Sequence, residues 1–323
     1  MTGGSGFLGT HVVAALLASG REVRNVSQSP PRDGSKRATF QRLDVREEAA
    51  VEAAVRGFRP DEIVHLAART DFVSRPDPEG FHVNVTGTAN VAFAARRAGT
   101  RRFMLASSNV VDWEPPGSAP SLLYGASKAA AERVIAGAGL RCWCVVRPCY
   151  AWGPWFGAPF RDFFLAIAEG RYRHLGVASP EKLLGYAGNM AFQIVRLLDA
   201  PDDVVHARTF HLADDAPTTL RAFADLIARE LGKGPPGSVP EPLALAAARA
   251  GDMLRALGLR DPPISSPRLA NMRRSNIDIP IQATRDLVGP LPFSIEAGVA
   301  ETVRWLGAQG LVRAPRRSQV NHG

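Results

Sequence analysis

With 323 residues, 46% of them hydrophobic and 22% charged, the chain has the composition of a folded globular protein and the length for one large or two modest domains. Its formal net charge of +8 is spread along the sequence without an aromatic-interleaved basic stripe, so nucleic acid is not an expected partner and an anionic small molecule is. No apolar run reaches the ~18–20 residues of a membrane span and no charged-then-apolar leader opens the sequence, so the expected setting is cytoplasmic and away from membranes.

The opening stretch, Met1-Thr2-Gly3-Gly4-Ser5-Gly6-Phe7-Leu8-Gly9, sets Gly3, Gly6 and Gly9 three apart and runs into the apolar segment 11–17. Glycine at such positions allows a tight turn, backbone approach to a pyrophosphate, and close helix packing. The helix that follows would offer free N–H groups and a positive dipole end to phosphate. Such a loop follows a buried strand, and only Met1-Thr2 precedes Gly3, so the first strand of the sheet is expected to be missing.

Gly20 stops the first helix. Strands are then expected over 22–26, 40–43, 61–68 and 102–108, with helices over 47–58 and 81–99 between them. A helix over 123–138, a strand over 142–147, a helix over 187–198 and a strand over 209–212 continue the alternation. Strands separated by helices imply parallel pairing and a doubly wound α/β sheet. After Gly153-Pro154, aromatics mix with Pro and Gly, and later helices are expected over 220–231, 243–257 and 295–306. The expected division is a Rossmann-like domain over 1–154, rejoined by 187–213, a smaller substrate-binding domain over 155–186 and 214–312, and a basic tail over 313–323. Cys142, Cys144 and Cys149 lie in an apolar stretch with no second Cys/His pair, so they read as buried thiols, and no metal is expected.

Tyr124-Gly-Ala-Ser-Lys128 carries the sharpest chemical signal. An i, i+4 spacing puts phenol and ammonium on one helix face. A free Tyr has a pKa near ~10, and a nearby ammonium is expected to bring it down towards the working range of a base. Ser108, at the end of the strand 102–108, lies at the edge where doubly wound sheets bind ligands and could hydrogen-bond a reacting oxygen.

In this order the motifs resemble the extended short-chain dehydrogenase/reductases of the NAD-dependent epimerase/dehydratase family. The matching pieces are Thr2-Gly-Gly-Ser-Gly-Phe-Leu-Gly9, Leu43-Asp44-Val45, His65-Leu-Ala-Ala68, Asn84-Val-Thr-Gly-Thr-Ala-Asn90, Ala106-Ser107-Ser108, Tyr124-Gly-Ala-Ser-Lys128, and Arg147-Pro148 with Trp152-Gly153-Pro154. The resemblance implies that Gly3, Gly6, Phe7, Leu8 and Gly9 hold the pyrophosphate, Asp44 and Val45 lie at the adenine, and Ala67 and Ala68 line the ribose and pyrophosphate. It implies a catalytic set of Ser108, Tyr124 and Lys128, with Tyr124 and Lys128 also at the nicotinamide ribose and Pro148 at the carboxamide. A homodimer is implied on the same ground.

The departures from the family pattern matter as well. The end of the second strand carries Ser27, followed by Gln28 and then Arg32, where NAD-preferring members carry a carboxylate, so NADP is favoured over NAD. Asn109-Val110 stand where the dehydratases place an acid and a base, which argues against dehydration. Tyr150 takes the place of a substrate-facing Asn, and Lys182, Arg273 and Arg274 are the candidates for a diphosphate clamp. The expected function is NAD(P)-dependent oxidation, reduction or epimerisation at a hydroxyl or keto carbon of a nucleotide-activated sugar. A ketoreductase of a non-sugar substrate and a non-catalytic dinucleotide-binding protein are the alternatives.

Overall fold

The structure is a computed structural model that describes residues 1–70, 79–112, 119–176, 179–258 and 265–312. The basic tail of the sequence reading lies outside the described residues. The chain divides into two compact units. The first comprises Met1–Ala151, Gly185–Asp214 and Pro280–Pro292; the second comprises Trp152–Leu184, Asp215–Ile279 and Phe293–Gly323. Residues 280–292, expected in the smaller domain, therefore belong to the first unit. The Thr284 hydroxyl donates to the His211 carbonyl there at 2.8 Å, and Val288 joins the core.

The first unit runs α1 (Phe7–Ala18), β1 (Asn25–Ser27), β2 (Phe40–Arg42), α2 (Glu48–Phe58), β3 (Glu62–His65), α3 (His82–Ala98), β4 (Arg102–Ala106), α4 (Ala119–Gly137), β5 (Cys142–Pro148), α5 (Ala187–Asp199) and β6 (Arg208–Leu212). These strands pair in parallel: β3 beside β4, β4 beside β5, β5 beside β6, and β1 beside β2. Thr2 links the two groups by bridging Val26 on one side and His65 on the other. The order across the unit is thus β2-β1-Thr2-β3-β4-β5-β6, the Rossmann-like parallel architecture expected from the alternation of elements.

The middle strands β4 and β5 carry continuous apolar runs because both of their faces are covered. Val64, Met104, Cys144, Val146 and Phe210 join Val12, Leu16, Met190 and Ile194 in one core. Ile63, Phe103, Leu105 and Val145, the alternate residues, join Val51, Val91, Ala95 and Ile135 in the other. The three cysteines are free and buried, as expected.

One buried cation stitches sheet to helix. The Arg102 guanidinium, at the start of β4, donates to the Leu197, Leu198 and Ala200 carbonyls at 2.8, 2.7 and 2.6 Å and pairs with Asp202. It thereby satisfies carbonyls at the end of α5 that have no helical partner.

The second unit contains helices Phe160–Ala168, Leu220–Glu230, Glu241–Ala256, Ser266–Arg273 and Ile295–Ala308. Thr219 and Ser294 cap two of them through their hydroxyls. Short strand pairs join His174–Leu175 to Ser238–Val239 and Glu181–Lys182 to Thr218–Thr219. The aromatic-rich stretch after Gly153 forms a cluster, with Phe156 and Phe164 ring centroids 5.3 Å apart and those of Trp155 and Trp305 5.4 Å apart.

Candidate active site

The glycine loop is tied down on both sides. Gly3 donates to the Val26 carbonyl and Gly6 to the Gly3 carbonyl, each at 3.0 Å. Gly3 has φ +70°, and a Cβ on it would lie 2.5 Å from the Ala67 nitrogen. A Cβ on Gly9 would drive into the Gly3 carbonyl and the Gly4 backbone. Gly4, which falls off the three-residue spacing, is just as constrained, because its Cβ would overlap the Asn25 side chain.

Gly6 precedes the first turn of α1, which has no side-chain cap and no acidic residue. Phe7 and Leu8 open that helix, so its leading amides are presented to an anion without a competing carboxylate. The loop therefore fits the pyrophosphate of a dinucleotide.

Ser27 ends β1 as a buried residue. Its hydroxyl donates to Asn25 Oδ1 at 2.9 Å and accepts from the Ser5 amide at 3.3 Å. The same Asn25 donates to Ser5 Oγ at 3.1 Å. This network, anchored on a residue not singled out in the sequence, holds the loop to β1. Asp44 is gripped by Arg46 through several hydrogen bonds, which hold its carboxyl down at about 2 with help from its amide and from Gln28. Val45 packs against Gly87 of α3, where a Cβ would overlap its side chain. Arg32 is exposed in the loop after β1.

Ala67 and Ala68 follow β3, and the Ala67 amide donates to Thr2 Oγ1 at 3.2 Å. His65 is buried between Thr2 Oγ1 at 2.7 Å and Thr88 Oγ1 at 3.0 Å. Burial, followed by the Lys128 and amino-terminal charges, pushes its imidazole down to about 3. Asn84 of α3 accepts from the Arg69 amide at 2.7 Å and donates to the Arg69 carbonyl at 3.1 Å and to Ser127 Oγ at 2.9 Å. It ties the end of β3 to the helix carrying Tyr124. Both His65 and Asn84 stood in matching motifs without an assigned role; their burial as polar residues is what distinguishes them.

Ser108, Tyr124 and Lys128 are all buried and come together. Lys128 Nζ lies 6.0 Å from the Tyr124 ring centroid and donates to the Ala106 carbonyl at 2.8 Å. Tyr124 is hydrogen-bonded to the Ser108 side chain. The electrostatics correct the sequence reading. Burial pushes the Tyr124 phenol up to about 12, opposed only by its bond to Ser108, while burial pushes Lys128 down to about 8, opposed by Glu132. The ammonium is turned towards the carbonyl at the end of β4, and desolvation of the phenolate outweighs its attraction.

Pro148 closes β5, and Tyr150 follows with φ +45°. In the second unit, Lys182 is buried and donates to the Arg274 carbonyl; burial, then the Arg274 charge, pushes its pKa down to about 8. Arg273 pairs with Glu241 at 2.9 Å. Lys182 and Arg274 are thus neighbours, and Lys182 and Arg273 are engaged within the unit. A recess of about 360 Å³ with a mixed lining lies alongside, with Tyr172, His174, Arg221 and Arg273 among its polar residues and Leu220, Leu269 and Met272 among its apolar ones. Among the described residues no group of three or more His, Cys, Asp or Glu could hold a metal, and no helix is long and apolar enough to cross a membrane.

Residues 1–213 match the model of the NAD dependent epimerase/dehydratase family. The chain belongs to that family. As a family member it is an enzyme of the NAD(P)-dependent epimerase/dehydratase type.

It is similar to the 3-beta-hydroxysteroid dehydrogenase of Mycolicibacterium neoaurum, at 27% identity over 93% of this chain and 89% of that protein. It is also similar to the 4-hydroxy-2-methyl-3-oxo-4-farnesyl-3,4-dihydroquinoline-1-oxide ketoreductase of Stigmatella aurantiaca, at 29% identity over 80% of each. Among solved structures, the UDP-glucose 4-epimerase of Thermus thermophilus in complex with NAD aligns at a TM-score of 0.67 and 25% identity, covering 95% of this chain and 98% of that one.

Proposed function

We propose that this member catalyses NAD(P)-dependent oxidation and reduction at a carbon bearing a hydroxyl or keto group, with Ser108, Tyr124 and Lys128 as its catalytic set. The observation that carries this reading is the buried Tyr124 phenol, bonded to Ser108 beside Lys128 and on the same sheet edge as the glycine loop. Gly3, Gly6, Phe7, Leu8 and Gly9 would hold the pyrophosphate, and Asp44, Val45, Ala67, Ala68 and Pro148 would line the rest of the dinucleotide. A bound dinucleotide supplies or accepts the hydride.

A phenol pushed up to about 12 is protonated at neutral pH. It is suited to give its proton to the oxygen of a keto substrate while that carbon receives hydride, leaving an alcohol. Ser108 Oγ hydrogen-bonds the same oxygen, and Lys128, cationic below about pH 8, stabilises the phenolate left behind. The reduction rate should therefore hold through neutral pH and fall as pH rises past 8. Ser27 and Arg32, with no carboxylate at the end of β1, favour NADP over NAD. A homodimer is proposed on family resemblance.

Two substrate classes have support. A nucleotide-activated sugar is favoured by the recess with Arg221 and Arg273 and by the likeness to the UDP-glucose epimerase. A neutral cyclic alcohol or ketone is favoured by the curated relatives and by the engagement of Lys182 and Arg273 within the unit. Dinucleotide turnover with a UDP-sugar and with a hydroxysteroid or cyclic ketone, each with NADH and NADPH, separates them. Turnover with neither class would sink the redox reading, and a clear NADH preference would overturn the Ser27 argument.

A further inference from the structure

Ser108 leads into a 3-10 turn, Asn109–Asp112. The Val111 amide donates to the Ser108 carbonyl at 3.1 Å, and the Val110 amide donates to Ser108 Oγ at 3.3 Å. The turn thus fills one acceptor site of the hydroxyl and leaves its O–H to be aimed elsewhere. Val110 lies against α4 where Gly125 follows Tyr124. A Cβ on that glycine would stand 3.3 Å from Val110 Cγ1 and 3.4 Å from the Val110 carbonyl oxygen. A displaced turn would therefore move Ser108 relative to the phenol that it bonds.

Asp112 anchors the far end of this turn. β6 runs beside β5 with His211 opposite Arg147 in register. Both side chains alternate with core residues Val146 and Leu212 and so point to the other face of the sheet, which α4 covers. Arg147 pairs with Asp112 through Nη1, and His211 Nε2 lies 2.7 Å from Asp112 Oδ2. A carboxylate only accepts, so that imidazole nitrogen carries a proton and donates it to the bond. The guanidinium also grips Glu132 of α4, with Nε at 3.0 Å and Nη2 at 2.6 Å. Glu132 stands one helical turn beyond Lys128 and two beyond Tyr124, so the same arginine ties the turn to the helix bearing both. The Asp112 side chain is 46% exposed, whereas those of Arg147 and His211 are 14% and 7% exposed. Two largely buried donors converging on one half-exposed carboxylate mark it as an anchor, since a solvated surface charge needs neither.

We propose that Asp112 is a positioning residue: held between Arg147 and His211, it fixes the turn that aims the Ser108 hydroxyl at the oxygen on which Tyr124 acts. It works through Ser108 and needs no contact with substrate or dinucleotide. Its consequence for turnover rests on the redox reading above, whereas the clamp itself does not.

The test is a double-mutant cycle in the full chain, Asp112→Ala with Ser108→Ala, read as kcat and KM for dinucleotide turnover with UDP-glucose or a hydroxysteroid, whichever the parent protein uses. Alone, Asp112→Ala should lower kcat at least about tenfold with KM within about twofold. In the Ser108→Ala background, where the hydroxyl it aims is gone, it should lower kcat by less than about twofold further. Amide exchange reads the clamp without turnover. The Val110 and Val111 amides should exchange more than about tenfold faster in Asp112→Ala, with the Met104 and Val145 amides of the core within about twofold of the parent. A parent without turnover, or Ser108→Ala with full turnover, would sink the proposed catalytic set and leave exchange to decide the clamp. Equal losses of kcat in the two backgrounds, or unchanged exchange at Val110 and Val111, would each overturn the positioning role.

Discussion

The surroundings of Tyr124 and the recess beside Arg273 are built on different terms. In the first unit, Ser108, Tyr124, Lys128, Asn84 and His65 are buried, and hydrogen bonds link them to strand ends and to one another. In the second unit, the recess is framed by two-residue strands, and Arg273 forms a half-exposed pair with Glu241. Buried polar groups must be satisfied by specific neighbours, so packing fixes their geometry. Half-exposed charges can exchange partners with solvent or ligand at little cost. The proposed catalytic set thus lies in the core of one unit, and the residues proposed to select the substrate lie on a surface that constrains them far less.

That contrast is open to direct attack. The largest effect is expected from Gly9→Ala, whose Cβ has nowhere to go against Gly3 and Gly4: stability should fall by more than about 3 kcal/mol and dinucleotide binding should be lost, measured by urea unfolding and by titration. Arg102→Met should cost about 3–5 kcal/mol, since it strips the Leu197, Leu198 and Ala200 carbonyls and Asp202 of their common donor.

Those two sites differ in how legible they were. The glycine spacing, the βα alternation and the Tyr124/Lys128 pair could be read directly, because turn chemistry and helical period act locally. Arg102 looked like one more arginine in a basic chain; its role depends on carbonyls nearly a hundred residues away. The same is true of Asn25, which became visible only when β1 came up beside Ser5. The direction of the Tyr124 shift was misread for a related reason. Spacing reports that a charge is near, whereas desolvation depends on the whole shell around the phenol.

A pH-dependent effect should come from His65. Its imidazole sits at about 3 in the folded protein against an ordinary 6.5, so between these values the unfolded chain binds more protons. The stability that neutral His65 contributes is complete above 6.5 and is lost as pH falls towards 3, by up to about 1.4 kcal/mol per pH unit. Comparing urea unfolding at pH 4 and pH 7 should show His65→Asn with a flatter dependence than the parent protein. An unchanged slope would place the acid sensitivity elsewhere. Least of all should happen with Arg273→Ala, which removes a half-exposed pair and should change stability by less than about 1 kcal/mol. If the substrate is a nucleotide sugar, the same variant should raise KM with kcat nearly unchanged.

The central claim is that Tyr124 moves the proton while the glycine loop independently holds the dinucleotide. It is tested most directly by measuring turnover and NADPH binding side by side in Tyr124→Phe. The account predicts turnover reduced at least about a hundredfold, with NADPH affinity within about threefold of the parent. Substantial residual turnover in a protein that still binds NADPH would contradict it.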